Sequence, residues 1–420
     1  MNDTSVPAVH TADGLLIRHG TPLFRQANLA LFAAGIATFG LLYCVQPLMP
    51  EFSKDYGVDA ATSALSLSLT TGVLAFAMLF AGAVSDAYGR KSVMTVSLIA
   101  SAVLVLLTAL VPGWTSLLVL RTLLGLSLSG LPAVAMTWLS EEMHPESIGL
   151  GMGLYISGNA IGGMGGRLVT GVLADFFDWR VGVMMVAGIG LASGLMFWRL
   201  LPPSRHFERQ PLQPRTLLAR FAGVFRDAGL PWMFAEGFLL LGAFVTVYNY
   251  IGYRLLAPPY GLSQAVVGLI FSVYLIGTFS SAWMGHLAGK LGRRRVLWTT
   301  FALMLAGVGM TMLRPLVLVI GGVVAVTFGF FGGHSIVSSW VGRRAGSAKA
   351  QASSLYLFAY YMGSSLAGAG GGLFYTARGW NGVAAFIGAM VLAGLLIAWR
   401  LYFLQPLPGP PSPGTEPPLP

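Results

Sequence analysis

Runs of apolar residues, nearly free of charge and separated by polar turns, recur along most of the 420-residue chain. Each run is about twenty residues long, the length an α-helix needs to cross roughly 30 Å of hydrocarbon. Of the residues, 55% are hydrophobic and only 10% charged, and the mean hydropathy is +0.73. No water-soluble core can hide that much apolar surface. Lipid offers no partners to backbone N–H and C=O groups, so only helices or closed barrels span it, and barrel strands alternate over segments of about ten residues. The unbroken runs therefore predict an all-α membrane protein with twelve transmembrane helices. The first six runs include 27–49, 62–84, 92–111, 115–139, a glycine-rich fifth, and 181–201. The second six fall near 232–254, 263–284, 296–313, 316–341, 350–375 and 382–404.

The formal net charge of +10 would suit a nucleic-acid partner if the charge were clustered on one soluble face. Instead it follows the turns. Eighteen of the 25 lysines and arginines lie in segments that alternate spans place on one side, five lie on the other, and Arg121 and Arg167 fall within spans. Such a bias puts the basic side, with both termini, in the cytoplasm. The segment 1–26 lacks a signal-peptide pattern and is expected to stay there. The expected organisation is a six-helix bundle over 27–201, a cytoplasmic linker over 202–231, a second bundle over 232–404 and a disordered tail over 405–420, rich in proline. Within the linker, Thr216 to Asp227 could lie as an amphipathic helix on the membrane surface. The single cysteine, Cys44, excludes an intrachain disulfide and reads as a packing residue.

Between spans two and three stands a polar hinge, Gly82-x3-Asp86-x2-Gly89-Arg90-Lys91. A copy returns about two hundred residues later as Gly285-x3-Gly289-x2-Gly292-Arg293-Arg294, with glycine where the acid stood. Trp138 and Trp340, Tyr155 and Tyr356, and Trp179 and Trp380 repeat at nearly the same offset. The chain thus reads as a duplicated six-helix unit, two bundles that can rock against each other. Asp86 is positioned to cap a helix start or to pair with Arg90.

The hinge resembles the signature loop of the major facilitator superfamily, over roughly residues 27–404. In span five, Gly158-Asn159-x2-Gly162-Gly163-x-Gly165-Gly166 is similar to the antiporter motif of its drug:proton antiporter branch, with Gly163 in place of a proline. Arg121-Thr122-Leu123-Leu124-Gly125 resembles that branch's span-four pattern, with Leu124 where glutamine is usual. Bacterial inner-membrane permeases described as arabinose or multidrug exporters are the nearest likeness. The resemblance implies a proton-coupled efflux carrier of the inner membrane, monomeric, without cofactor or metal, whose partners are a small molecule, protons and the bilayer. An importer of sugars or organic anions that runs with protons is the alternative. It further implies that Asp86 latches onto the start of span eleven, and that spans one, five, seven and eleven line a cavity. Tyr43, Gln46, Tyr155, Asn159, Tyr248, Asn249, Tyr356 and Tyr360 are its candidate lining.

A membrane enzyme would need a nucleophile with its base, or a metal cluster, and the six histidines are scattered while the acids lie mostly in turns. Proton coupling needs a titratable group inside the membrane. Glu236, about one turn into span seven, and His334 in span ten are the candidates, with Arg121 as a fixed charge that costs about 2.5–3.5 kcal/mol to insert. The glycines at 158, 162, 163, 165 and 166 leave a bare helix face, suited to close packing or to sliding between the two halves.

Overall fold

The computed structural model describes residues 16–207, 209 and 221–404. The suggested surface helix at Thr216–Asp227 falls partly outside them, and the proline-rich tail wholly so. Among the described residues the two halves hold fourteen α-helices: α1 Pro22–Tyr43, α2 Met49–Tyr56, α3 Ala60–Tyr88, α4 Arg90–Leu110, α5 Trp114–Leu128, α6 Pro132–Glu142, α7 Pro145–Phe176 and α8 Trp179–Leu200 form the first half. The second half holds α9 Leu230–Leu256, α10 Gln264–Ile270, α11 Tyr274–Leu291, α12 Arg293–Thr311, α13 Leu316–Arg344 and α14 Lys349–Tyr402. Among the described residues the only β pairing is an isolated bridge between Ile17 and Met143.

These helices make twelve spans. α5 and α6 are one span broken at Ser129–Leu131, and α10 and α11 are one span joined by the 3-10 turn Phe271–Val273. α14 is two spans, because Arg378 and Gly379 leave the helical region, Gly379 with φ of 56°. Span one does not stop at its prolines as a simple reading of Pro47 and Pro50 would have it. The helix ends at Tyr43, makes a 3-10 turn over Gln46–Leu48 and resumes as α2. Both prolines sit in the first turn of a helical segment, where a missing N–H costs nothing.

Local chemistry sets the helix starts. Thr21 caps α1 by accepting from the Phe24 N–H ahead of Pro22. Asp59 caps α3 by accepting from the Thr62 N–H at 2.7 Å, and that bond holds its carboxyl below the usual range. The outer surface of the molecule is apolar, with Val96, Leu396 and Val317 exposed by 67%, 67% and 80%, a surface made for lipid rather than water.

The halves meet at the end opposite the hinge loops. Gln46 Nε2 donates to Asn249 Oδ1 at 2.7 Å, Tyr253 Oη to the Met49 carbonyl at 2.8 Å, and Ser365 Oγ to the Ser68 carbonyl at 2.7 Å. Gln264 adds two more, to the Pro47 carbonyl from its side chain and to Asp175 from its backbone N–H. Gly171 and Gly268 face each other so closely that a Cβ on Gly171 would stand 2.8 Å from the other's Cα. At the hinge end, among the described residues, polar ties stay within each half: Arg90 with Asp86 and Glu141, Arg344 with Asp227 at 2.6 Å. That last bond, with two backbone donors, outweighs burial and holds the Asp227 carboxyl below its usual range. One end is sealed, and among the described residues the polar ties named at the other stay within one half.

Candidate functional site

Both hinge loops are built alike. Gly89 has φ of 97° and Gly292 of 93°, a conformation that glycine adopts without the cost a side chain would bring. Asp86 lies in the last turn of α3 rather than at a helix start. There it faces the negative end of the helix dipole, and its ion pair with Arg90 offsets that. Arg90 also forks onto Glu141, with Nη2–Oε1 at 2.8 Å and Nε–Oε2 at 3.1 Å. The Phe207 ring lies 5.4 Å from the Arg90 guanidinium, and Lys91 Nζ donates to the Leu201 carbonyl. Thus the first hinge ties to its own half and to the chain leaving it, where the resemblance implied the start of span eleven. In the copy, Arg293 bonds Ser339 Oγ at 3.3 Å, Gly285 lies against Ser335, and Gly289 faces open space.

Arg121 is fully buried and its donors all end on main chain. Nε donates to the Ser66 carbonyl at 2.8 Å, Nη1 to Leu41 at 3.2 Å and Nη2 to Leu42 at 2.6 Å. It ties the fraying end of α1 to α3 and α5. No carboxylate of the described residues pairs with it.

In the second half the two proton candidates come together. Glu236 is 0% exposed, and neither carboxyl oxygen has a hydrogen-bond partner. Tyr356 packs against the same turn, where a Cβ on Gly237 would stand 2.6 Å from the ring that carries its hydroxyl. That hydroxyl shares a hydrogen bond of 2.9 Å with Nδ1 of His334. Tyr360 lies 4.6 Å from the imidazole, ring to ring, and Phe330 continues the stack to Phe244 at 3.9 Å. Glu236, Tyr356, His334 and Tyr360 thus form one cluster from three spans. Arg121, in the other half, is not part of it.

Tyr43, Gln46, Tyr248 and Asn249 gather around a residue that belongs to no motif. Arg167 of α7 is 1% exposed, lies between the rings of Tyr43 at 4.2 Å and Tyr274 at 4.5 Å, and has Phe271 at 5.6 Å. Its Nε donates to Gln46 Oε1 at 2.7 Å. Gln46 passes the connection to Asn249 across the halves. Tyr248 stacks near Tyr274 at 5.1 Å and bonds Thr327 at 2.7 Å. Cation–π contacts return up to about 2 kcal/mol each, less than the several kcal/mol that burying an uncompensated ion costs. The insertion cost that singled out Arg121 applied equally to Arg167, and was the signal available in the sequence.

Tyr155 and Asn159 of α7 face α1, where a Cβ on Gly35 would meet Asn159 Oδ1 at 2.7 Å. The glycine stripe does the same. At Gly158 and Gly162 the main chain of Phe32 and Ile36 leaves no room for a side chain, and at Gly166 a Cβ would stand 2.7 Å from the Gly40 carbonyl oxygen. This face packs within the first half rather than between halves. Gly163 looks toward Phe39 and Arg167, and Gly165 toward open space.

Comparison with known proteins adds an independent line. The sequence pattern of the Major Facilitator Superfamily matches residues 31–260 and again 239–419. The chain is 52% identical over 386 residues to the inner membrane transport protein YnfM of Escherichia coli K12, covering 92% of this chain and 93% of that one. It is 47% identical to the uncharacterized MFS-type transporter YybF of Bacillus subtilis 168, covering 92% and 95%. Among solved structures, a bacterial homologue of the human lysosomal transporter Spinster, inward-facing and unoccupied, superposes with a TM-score of 0.75 at 15% identity, covering 91% and 97%. The nucleoside transporter NupG gives 0.75 at 17%, covering 90% and 100%.

Proposed function

We propose, from the premise that this chain belongs to the Major Facilitator Superfamily and is a multi-pass membrane transporter, that it exports a small molecule across the bacterial inner membrane in exchange for protons. The observation that carries the coupling is the Glu236 cluster. A carboxylate charge there has no compensating cation among the described residues, and taking up a proton removes that cost. When the halves rock, water or the Tyr356–His334 pair reaches the group and the proton leaves. His334 is the relay, since its ring already shares a bond with Tyr356.

The positive-inside bias supports a cytoplasmic hinge end, so the sealed end faces outward and the unsealed end takes substrate from the cytoplasm. Export, rather than import, is supported by the glycine frame of α7, which resembles that of drug:proton antiporters. Asp86 and Arg90 serve as one half of a latch whose other half is met when the hinge end closes.

Everted membrane vesicles carrying an internal pH dye test the coupling. A transported compound should discharge an imposed pH gradient through the wild-type protein, and Glu236→Gln should abolish the discharge while the protein remains in the membrane. Discharge at the wild-type rate by Glu236→Gln would remove Glu236 from the proton path.

A further inference from the structure

Arg167 and Arg121 are both fully buried arginines of the first half, yet they are held in opposite ways. Arg121 spends all three kinds of guanidinium nitrogen on backbone carbonyls, which is what a structural tie requires. Arg167 bonds one side-chain amide through Nε and one carbonyl, that of Gly163, through Nη1. Its Nη2 donates no hydrogen bond among the described residues, and none of their carboxylates lies within ion-pair distance. Its two faces are covered by the rings of Tyr43 and Tyr274, leaving the planar edge as the approach for a ligand. On the Tyr274 ring that packs against the guanidinium, the hydroxyl is buried without a hydrogen-bond partner, a second unspent donor. The surroundings are thus rich in donors, carry a full positive charge and are walled by flat rings, with Tyr248 and Phe271 completing the wall.

The position suits a ligand. Arg167 lies nine residues before the end of α7 at Phe176, about 14 Å at 1.5 Å per residue, and is joined through Gln46 to Asn249 of the other half. α7, α1, α9 and α11 all contribute to it.

We propose that Arg167 is the anchor of an anionic substrate, a small carboxylate with a flat apolar body, its carboxylate accepting from Nη2 and from the Tyr274 hydroxyl while its body lies against the tyrosines. This rests on the transporter reading above and adds the substrate class to it. A carboxylate matches the guanidinium fork and neutralises the buried charge. A neutral isostere can only exchange hydrogen bonds, and a cation is repelled.

Benzoate and its neutral isostere benzamide are the probes, read by thermal unfolding of the purified full-length protein. Benzoate should raise the unfolding temperature of the wild type in a saturable way and benzamide should not. Arg167→Gln should weaken benzoate by about tenfold or more, the loss of one charge-assisted bond. Should Arg167→Gln fail to fold, Arg167→Lys decides: the charge stays and the fork goes, so benzoate binds several-fold more weakly and benzamide remains silent. No benzoate effect on the wild type, an equal effect of benzamide, or unchanged benzoate affinity in the variant that folds overturns the anchor. Because binding is read at equilibrium without a gradient, its failure is separate from a failure of coupling, which only the Glu236→Gln vesicles report.

Discussion

At the scale of single residues, one cost is met in two ways. Each of Arg121 and Arg167 is a charge inside the membrane, and the sequence flags both by position alone. What it cannot show is that the carbonyls of Leu41, Leu42 and Ser66 converge on Arg121, because those acceptors exist only once α1 ends at Tyr43 and α3 lies beside it. Arg121 is therefore a structural tie, and Arg121→Met should lower the unfolding temperature, with about 1–3 kcal/mol lost for each buried group left unpaired. The pH profile of transport in the surviving protein should not move. An unfolding temperature equal to wild type would show that the three carbonyls are satisfied without the arginine. Glu236 and His334 were legible as the titratable groups of the second half. Their gathering around Tyr356 was not, since it brings together α9, α13 and α14.

At the scale of elements, the glycine stripe of α7 was visible as a four-residue spacing, which puts Gly158, Gly162 and Gly166 on one helix face. Which neighbour fills that face depends on packing, and it is α1, not the opposite bundle. The stripe thus packs α7 against α1, while α7 meets the other half where Gly171 lies against Gly268. Gly162→Leu should prevent accumulation of folded protein because the Ile36 main chain occupies the space, whereas Gly165→Leu, with nothing within 4 Å, should fold and transport normally. Fluorescence-detected size exclusion followed by a transport assay separates the two. Equal behaviour of both variants would place α7 differently. The hinge copies were legible to the residue, since Gly89 and Gly292 share one backbone conformation. The pairing of Asp86 with Arg90 was legible too, but the fork of Arg90 onto Glu141 was not, because Glu141 comes from the far end of α6.

At the scale of the whole molecule, periodicity and repetition gave twelve spans in two halves, including the turn at Gly379 within α14. The conformation could not be read, since it depends on which end of the bundle pair gathers its polar contacts, and a sequence serves both ends at different times. Here Gln46, Tyr253, Gln264 and Ser365 close the end away from the hinges. With Glu236 buried and unpartnered, the proposed coupling makes this the state that a proton on Glu236 should favour, and losing the proton should drive the hinge end to close. Spin labels at Ser140→Cys and Ala350→Cys, one exposed site on each half at the hinge end, read that equilibrium directly as a distance, without any need to know the substrate. The account predicts a long distance at acid pH, a growing short-distance population as the pH rises, and a Glu236→Gln protein held at the long distance throughout. A distance distribution indifferent to pH in the wild type, or an undiminished pH response in Glu236→Gln, would contradict it.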